Sequence, residues 1–572
     1  MTANEPVDDF FIIGLDFGTT YSGVAWAYSR EPEEIELVTS WESEFNNCTD
    51  VDKAPTQLLY DEKKGTSWGY SIPASKDALK WFKLLLLDRE DVPIMVSKSS
   101  QMRCAQKLLD KTKKDPVEVI ACYLRKIWNH AIDSIQRAVG AELLQKSPFH
   151  VVITLPAIWP PYAQQRMKQA AKTSGILDAR SCGETKLRFI SEPEAAALAT
   201  IKDLSKRSTM KIEDTMVICD AGGGTVDLIS YQIESTSPFV VKECVKGDGG
   251  LCGGVFLDEQ FLELIKRKLA PGSWDSVTST EEKKFLNECW EHGIKSQFSN
   301  QNRDWVVDLP DSCKATSSSG KLKRRKTLEL SSSDILSAYT PIVDRIEGLV
   351  RRQAQAVKSK LGTPAKYIIL VGGFGRSSYL YNKLRSAFSE STVLQSRGNK
   401  PSLWKCSATL GVTVGVRVAR NSYGVKFMTE FDPQKHQQSD KYWSEDHQEW
   451  YATNQMKWFL REGDNMLTKK PVRHNYCQLY SHRIGHVSTT IYICSEFPPP
   501  KSSGQAVEKL CEIHWTRNIS LESLPTWTNP LGKVYHELRY EVEMTCEDGT
   551  VDFTLYHEGK RVGAHNVDVQ FR

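Results

Sequence analysis

Short apolar runs that end in an aspartate and a glycine-containing turn are the most regular feature of this chain. The first run is Phe10–Leu15, which leads into Asp16–Thr20 and is followed by a second apolar run, Val24–Tyr28. Two short apolar runs joined by a turn of glycine and threonine predict a β-hairpin. The chain therefore begins with a strand, an aspartate, a tight turn and a returning strand.

The same pattern returns later in the chain. The apolar run Met216–Cys219 leads into Asp220–Thr225, and the chain returns through Val226–Ile233. This internal repeat predicts two lobes built on one plan. A third glycine turn, Val371–Arg376, follows the predicted strand Tyr367–Leu370.

The segment between the two hairpins alternates helical and strand patterns. Apolar residues at three- and four-residue steps predict one long amphipathic helix over Val117–Leu144. The continuous apolar run Val151–Leu155 predicts a buried strand, and a further helix is expected over Ala163–Thr173. Proline near the start of the alanine-rich segment Glu192–Ala197 predicts another helix start.

The pattern changes character after Asn421. The strand-like runs beyond it are Ser488–Cys494, Leu538–Met544, Val551–Leu555 and Val567–Phe571. Asp548-Gly549 lies between two of these runs and is a strong hairpin signal. We predict a β-sandwich-like domain over residues 423–572, behind an α/β region with one lobe at 10–205 and a second at 206–420.

The charge and composition of the chain do not suggest that it binds nucleic acid. The chain has 572 residues, a quarter of them charged, and a formal net charge of only +3. These totals are those of an ordinary globular protein and do not suggest a nucleic-acid partner. The one dense basic run, residues 321–326, fits either a nuclear-localisation or phosphate-binding patch or a solvated hairpin, and we favour the hairpin.

The cysteines and the N-terminus favour a cytoplasmic protein. Fourteen cysteines are scattered without a CxxC pair, and residues 1–9, which we expect to be disordered, lack an apolar signal segment. We therefore expect reduced thiols and unused glycosylation sites at Asn47 and Asn518. The longest leucine run, Leu84–Leu87, is far too short to span a membrane.

The two predicted hairpins together suit a nucleotide triphosphate. Glycine turns let backbone N–H groups approach phosphate oxygens, which a side chain would block. A carboxylate at the strand end, Asp16 or Asp220, can hold Mg²⁺ through its waters. The candidate phosphate-binding residues are Gly18, Thr19, Thr20, Gly222, Gly223, Gly224 and Thr225.

Five ordered motifs carry a resemblance to a known family. They are Gly14–Thr20, Val152–Ala157, Ser191–Ala197, Asp220–Asp227 and Leu370–Arg376. In order and spacing, over about residues 10 to 420, the chain resembles the seventy-kilodalton heat-shock (DnaK-type) chaperones of the actin-like ATPase superfamily. It is most similar to the divergent branch without a lid. The resemblance implies an actin-like (ribonuclease H-like) two-lobed α/β domain that binds ATP or ADP with Mg²⁺.

The resemblance also implies roles for single residues. Asp16 and Asp220 would hold hydrated Mg²⁺, and Glu192 would help to orient the attacking water. The residues implied in adenosine binding or next to the second hairpin are Gly253, Gly254, Lys295, Gly372, Gly373 and Arg376. For an isolated glutamate, the acidic first turn of a helix would be the preferred interpretation of Glu192, but beside the two hairpins we favour the water-orienting role. Asp227 and Asp258 remain open between functional and structural roles, whereas Cys219, Cys244 and Cys252 are interpreted as buried inert thiols.

The chain departs from the family pattern in three places; the first departure suggests weakened hydrolysis and the last suggests that nucleotide-driven docking of the β-domain is altered or lost. Pro73 stands where the family has a catalytic lysine, and Lys76 is displaced from that position. A late acidic residue is missing near Trp404, and the acidic, leucine-rich interdomain linker is absent around Asn421. A preorganised positive charge near the γ-phosphate contributes much of phosphoryl-transfer catalysis.

Three hypotheses follow from these observations. The first is an ATP-binding, chaperone-like binder or switch with slow or absent hydrolysis, whose β-domain takes unfolded or extended polypeptide and which works with a co-chaperone. The second is a small-molecule kinase of the sugar type on the same scaffold, although we identify no aspartate base for it. The third is a nucleotide-stabilised scaffold without turnover.

Overall fold

The computed structural model divides the chain into two compact units. The first consists of residues 1–241 and 247–413, and the second of residues 242–246 and 414–572. The structure describes residues 9–564 except 44–47, 49–50, 62–64, 74–75, 93, 98, 158, 206–209, 237–238, 315–325, 396–411, 468–470, 483, 486, 517–518 and 548–549. Several predictions lie outside the described residues: the disordered N-terminus up to residue 8, most of the basic run, Trp404, Asn47, Asn518 and the strand Val567–Phe571.

The first lobe contains a mixed sheet with helices around it. Its described strands are β1 (Phe11–Phe17), β2 (Tyr21–Tyr28), β3 (Glu31–Leu37), β4 (Ala54–Pro55), β5 (Gln57–Asp61), β6 (Gly65–Trp68), β7 (Leu79–Lys80), β8 (Phe149–Leu155) and β9 (Lys186–Ser191). Its described α-helices are α1 (Ile94–Ser97), α2 (Ser100–Thr112), α3 (Pro116–Val139), α4 (Ala141–Lys146), α5 (Pro161–Thr173) and α6 (Glu192–Ser205). A 3₁₀ turn, Phe82–Leu86, lies between β7 and α1.

Strand β1 is the central strand of this lobe. The sheet order is β3-β2-β1-β8-β9, with β4 paired to β2. Strand β1 pairs antiparallel with β2 and parallel with β8, and all its residues are buried. A strand covered on both faces needs the near-continuous apolar sequence seen here. The first predicted hairpin is confirmed.

The long helix that the sequence predicts is two helices. Asp115 caps α3 in a capping box with Glu118, and Pro116 is its first residue. Gly140 then adopts a φ of 84°, which ends α3, and α4 follows at once. A glycine with positive φ is a common helix stop, so the prediction of one continuous helix to Leu144 is wrong. The helix start at Glu192 is confirmed by α6.

The second lobe repeats the arrangement. Its described strands are β10 (Thr215–Ala221), β11 (Val226–Thr236), β12 (Phe239–Gly250), β13 (Trp305–Asp308), β14 (Thr327–Leu330), β15 (Tyr367–Val371) and β16 (Thr392–Gln395). Its described α-helices are α7 (Val255–Lys268), α8 (Ser279–Phe285), α9 (Lys295–Gln297), α10 (Ser332–Leu361) and α11 (Ser378–Ala387). A π-helical segment, Leu286–Ile294, joins α8 to α9.

The central strand of this second lobe is β10. It pairs antiparallel with β11 and parallel with β15, in the order β16-β15-β10-β11-β12. This is the plan of β1, β2 and β8, so the predicted internal repeat is confirmed. Residues Lys242–Lys246 of β12 are grouped with the second unit.

Two antiparallel sheets make up most of the second unit. The described strands are β17 (Val412–Val418), β18 (Ser422–Glu430), β19 (Lys441–Ser444), β20 (Glu449–Leu460), β21 (Asn465–Leu467), β22 (Val472–Tyr480), β23 (Ser488–Cys494), β24 (Glu508–His514), β25 (Thr526–Thr528), β26 (Val534–Glu547), β27 (Thr550–His557) and β28 (Lys560–Ala564). The sheets run β19-β20-β18-β23-β24 and β22-β26-β27-β28, with β25 paired to β26. Both contribute to one apolar core, for example through Ile491 from the first sheet and Val542 and Phe553 from the second.

The sequence signals in this unit agree with the strands observed. The run Ser488–Cys494 is β23 with the predicted bounds, and β26 pairs with β27 as the predicted hairpin requires. The Asp548-Gly549 turn itself lies outside the described residues. Among the helices that the structure describes, none is long and apolar enough to cross a membrane.

Candidate functional site: two phosphate hairpins and a buried lysine

Two aspartates lie at the ends of the two central strands. Asp16 is near the end of β1 and Asp220 near the end of β10, and both are buried. In each lobe the neighbouring parallel strand, β8 or β15, ends at the same edge of the sheet. The carboxyl ends of parallel strands are the usual ligand-binding edge of α/β sheets.

The turns that follow the two aspartates contact each other. A Cβ atom added to Gly223 would lie 2.7 Å from Thr20 Oγ1, and one added to Gly224 would lie 2.9 Å from Thr19 Oγ1. A Cβ atom at Gly18 would lie 2.2 Å from the carbonyl oxygen of Tyr21. A side chain at Gly223 or Gly224 would therefore push the two hairpins apart, and one at Gly18 would distort the first hairpin itself.

The second hairpin is braced by the start of α7. The backbone N–H groups of Gly253, Gly254 and Val255 donate to the carbonyl oxygens of the three turn glycines at 3.1, 3.0 and 2.9 Å. A Cβ atom at Gly253 would lie 2.3 Å from the Gly223 carbonyl oxygen. The structure thus gives Gly253 and Gly254 a packing role: they hold the hairpin that carries Gly222, Gly223, Gly224 and Thr225.

The third glycine turn contacts Asp220. Gly372 has a φ of 85°, and a Cβ atom there would lie 2.3 Å from Asp220 Oδ1. Gly373 is exposed, and a Cβ atom there would have nothing within 4 Å. Arg376 is exposed at the end of the following 3₁₀ turn. Gly373 and Arg376 thus border open space next to the site, while Gly372 packs against the carboxylate of Asp220.

A buried lysine completes the first lobe's side of the site. Lys83 Nζ lies 2.5 Å from Glu192 Oε1 and donates to the carbonyl oxygen of Phe17 at 2.6 Å. The Lys83 side chain is 2% exposed and the Glu192 side chain 16%. Pro73 stands at the family's lysine position, but the first lobe does bring a lysine to this site, from the 3₁₀ turn Phe82–Leu86 further along the chain.

Sequence reasoning missed Lys83, although a signal was present. It lies in Trp81–Leu87, the most apolar stretch of that region. Lysine is almost never fully buried unless it is paired with a charge. A lone lysine inside an apolar run therefore indicates a buried partner, which only the folded chain identifies as Glu192.

The carboxylates of the site influence one another. Burial raises the pKa of Glu192, Lys83 opposes that rise, and the nearby charges of Asp16 and Asp220 add to it. Glu192 is therefore close enough to both aspartates to feel their charge. The largely buried carboxylates of Asp16, Asp220 and Glu192 need nearby cations to balance their negative charge.

A second lysine faces the first aspartate. Lys53 Nζ lies 2.6 Å from Asp16 Oδ2, and the Thr154 hydroxyl donates to Asp16 Oδ1 at 3.2 Å. The sequence motifs do not point to Lys53, which lies just before β4 and outside all of them. It is the second functional candidate that only the fold reveals.

Lys295 is held in an ion-pair cluster on the second lobe. Its ammonium group lies 2.8 Å from Asp258 Oδ1 and 2.7 Å from Glu291 Oε2, and Trp290 Nε1 donates to the same Asp258 oxygen. Burial alone would lower the pKa of Lys295, but the two carboxylates outweigh it and raise that pKa. The π-helical segment supplies Trp290 and Glu291, and such segments are frequent at functional sites. Asp258 thus has a clear structural partner.

The cysteines near the hairpins are buried. Burial raises the pKa of the Cys219 thiol well above its ordinary value and that of Cys252 to about 11. Cys244 is also buried. Since the thiolate is the reactive form, these shifts support the interpretation as inert thiols.

The donor set suits Mg²⁺ bound together with a nucleotide. Within the described residues, no cluster of three or more histidine, cysteine or acidic side chains could hold a metal ion by itself. Mg²⁺ commonly keeps several waters and is held by one or two carboxylates plus substrate phosphates. Asp16 and Asp220, beside glycine tips that a Cβ atom would obstruct, fit that mode of binding.

Comparisons with known proteins agree with this geometry. The family model described as Hsp70 protein matches residues 86–395, and a domain of unknown function, DUF8568, matches residues 417–565. The first match covers more than half of the chain, which therefore belongs to the Hsp70 family. The expected two-lobed actin-like ATPase fold followed by a β-rich domain is confirmed, and membership implies an ATP-binding, chaperone-type protein.

The relatives are distant. Heat shock 70 kDa protein 12B of Homo sapiens is 24% identical over 562 residues, covering 82% of this chain and 78% of that protein. Heat shock 70 kDa protein 12A of Homo sapiens is 24% identical over 518 residues, covering 74% and 73%. A chaperone protein HscA homolog of Acinetobacter baumannii (strain SDF) is 25% identical over 389 residues, covering 66% and 54%. The chain is thus a divergent member of its family.

Proposed function

We propose that the chain binds Mg·ATP between its two glycine hairpins and acts as a nucleotide-dependent, chaperone-like binder or switch that hydrolyses ATP slowly. The observation that supports this most is the meeting of the two hairpin tips, with Asp16, Asp220 and the Lys83–Glu192 pair around them. Backbone N–H groups of the tips would bind the phosphate oxygens. Thr19, Thr20 and Thr225 would add hydroxyl donors.

Lys83 would supply the positive charge near the γ-phosphate. Its ammonium group is anchored by the Phe17 carbonyl oxygen and Glu192, so little reorganisation would be needed when negative charge develops. Removing one preorganised donor of this kind typically lowers the rate by about 10²–10³. The presence of Lys83 favours slow hydrolysis over none.

Glu192 would orient the attacking water. As a carboxylate it accepts a hydrogen bond from Lys83 and has a second oxygen for a water molecule. Bound Mg²⁺ would neutralise charge on the phosphates, held through water by Asp16 and Asp220. Gly373 and Arg376 would border the adenosine, with Lys295 on the second lobe.

We propose further that the β-domain binds unfolded or extended polypeptide and that a co-chaperone assists it. We propose a cytoplasmic location, with the nucleus as a second compartment. Family membership and the name of the HscA relative, a chaperone protein, support the proposed polypeptide binding. An extended peptide would add a strand to a sheet edge such as β19. A chaperone would bind unrelated apolar peptides, whereas a scaffold with one fixed partner would ignore them.

The proposed nucleotide site is tested by filter retention of radiolabelled ATP with Mg²⁺, using the wild type and Asp16→Ala. We expect retention by the wild type and a large loss in the variant. Equal retention by both would show that the site is misplaced. Transfer of phosphate from ATP to any member of a polyol panel would favour the kinase hypothesis instead, which no described residue favours at present.

A further inference from the structure

Lys53 is held in place by the first phosphate hairpin itself. The residues after it form β4, which pairs with the start of β2 through Tyr21–Pro55 and Ser22–Ala54. The next backbone N–H, that of Thr56, donates to the Thr20 carbonyl oxygen at 2.8 Å. The strand that carries Lys53 is thus bonded to the turn that we propose to bind phosphate.

The strand is anchored from its other side as well. The Ser22 and Thr56 hydroxyl groups are 2.8 Å apart and buried, and the Tyr123 hydroxyl donates to the Pro55 carbonyl oxygen at 3.1 Å. Lys53 therefore extends from a fixed backbone, and its ammonium group reaches Asp16 Oδ2 at 2.6 Å. Its side chain is 28% exposed, so it borders the solvent-accessible side of the site.

This placement puts a resident cation directly beside a proposed metal-binding carboxylate. A lysine ammonium group has three N–H donors, and the contact with Asp16 uses one of them. With Lys83, it gives the site two ammonium groups against the carboxylates of Asp16, Asp220 and Glu192. Without Lys53, phosphates entering beside these carboxylates would depend on Mg²⁺ for most of their neutralisation.

We propose that Lys53 is a phosphate-binding residue that shares with Mg²⁺ the neutralisation of charge at Asp16. As a result, nucleotide binding by this chain depends only weakly on Mg²⁺. The inference rests on the proposed nucleotide site, and it assigns a ligand-binding role to a residue outside all the glycine motifs.

The test measures ADP affinity by titration calorimetry, with Mg²⁺ and with EDTA, for the wild type, Lys53→Met and Lys76→Met. ADP is used because no hydrolysis then complicates the measurement. Lys76 is an exposed lysine of the same lobe with no assigned role, so its substitution is the matched control. Lys53→Gln provides a second uncharged variant, should the methionine substitution prevent folding.

We expect Mg²⁺ removal to weaken ADP binding by less than about tenfold in the wild type and in Lys76→Met. In Lys53→Met or Lys53→Gln we expect Mg²⁺ removal to weaken ADP binding on the order of a hundredfold, which is within the usual range of coupling between two ligands. An equally steep Mg²⁺ dependence in all the proteins would overturn the inference while leaving the nucleotide site intact. Absence of ADP binding by the wild type under both conditions would overturn the proposed function and this inference with it.

Discussion

Substituting Lys83 by methionine isolates the charge of the buried lysine. The ammonium nitrogen lies 5.5 and 5.4 Å from the ring centres of Phe17 and Trp159, and methionine retains an unbranched side chain without the charge. What is lost is the donor to Glu192 and to the Phe17 carbonyl oxygen. Breaking a buried ion pair from one side costs about 3–5 kcal/mol, or roughly 6–10 °C in Tm at about 2 °C per kcal/mol for a large unit.

The loss of stability caused by Lys83→Met should increase with rising pH. Burial already raises the pKa of Glu192, and Lys83 is the charge that opposes this rise, so the substitution raises the pKa further. A folded carboxyl with a raised pKa keeps its proton to higher pH than the unfolded chain does. Its contribution to stability is therefore lost as the pH rises from the ordinary value of 4.5 through the folded pKa. The Tm deficit of Lys83→Met should therefore grow as the pH rises above 4.5, the ordinary pKa of the glutamate.

The assay is thermal unfolding at several pH values at one heating rate. Glu192→Gln in the Lys83→Met background removes the unpaired charge and should recover much of the loss, which a double-mutant cycle measures. Lys146→Met is the matched control, because its partner Glu142 is exposed and such pairs contribute about 0–1 kcal/mol. A Lys83→Met deficit as small as that of the control, or one that shrinks with rising pH, would refute the reasoning.

Three further predictions concern the glycine turn, the second aspartate and the thiols. Gly372→Ala should lower Tm, because its Cβ atom would clash with Asp220 at a cost of about 1–3 kcal/mol. Gly373→Ala should leave Tm unchanged and weaken ATP binding on the order of tenfold, about 1.4 kcal/mol. A lower Tm in Gly373→Ala and an unchanged Tm in Gly372→Ala would contradict the placement of this turn. Asp220→Ala should reduce the Tm increase that Mg·ATP produces in the wild type, and an unchanged increase would exclude Asp220 from the site. Cys219 and Cys252 should resist iodoacetamide in the native protein because burial raises the pKa of both thiols, and rapid labelling followed by mass spectrometry would show otherwise.

The parts of the fold that local sequence controls were predictable. The two hairpins are each specified by an apolar strand, an aspartate and a glycine turn, and the repetition of that pattern along the chain is enough to indicate two lobes. Strand β23 and the β26–β27 hairpin follow from alternation and turn residues. The break at Gly140 was also readable as a helix stop, but the continuing apolar pattern concealed it.

The partners of the site's two lysines were not predictable from local pattern. Lys83 is brought to Glu192 across 109 residues and Lys53 to Asp16 across 37. The apolar run around Lys83 indicates that it is buried, but neither lysine's own neighbourhood identifies its partner. A motif comparison looks for a lysine at one place along the chain, while the site needs an ammonium group at one place in space.

Single-turnover hydrolysis of Mg·ATP by excess wild-type protein and by Lys83→Met tests the central claim most directly, with ATP retention measured in the same samples. We predict that both proteins retain ATP and that the variant hydrolyses it more slowly by about 10²–10³. Equal rates in the two proteins would contradict the role of Lys83, and failure of the wild type to retain ATP would contradict the nucleotide site itself.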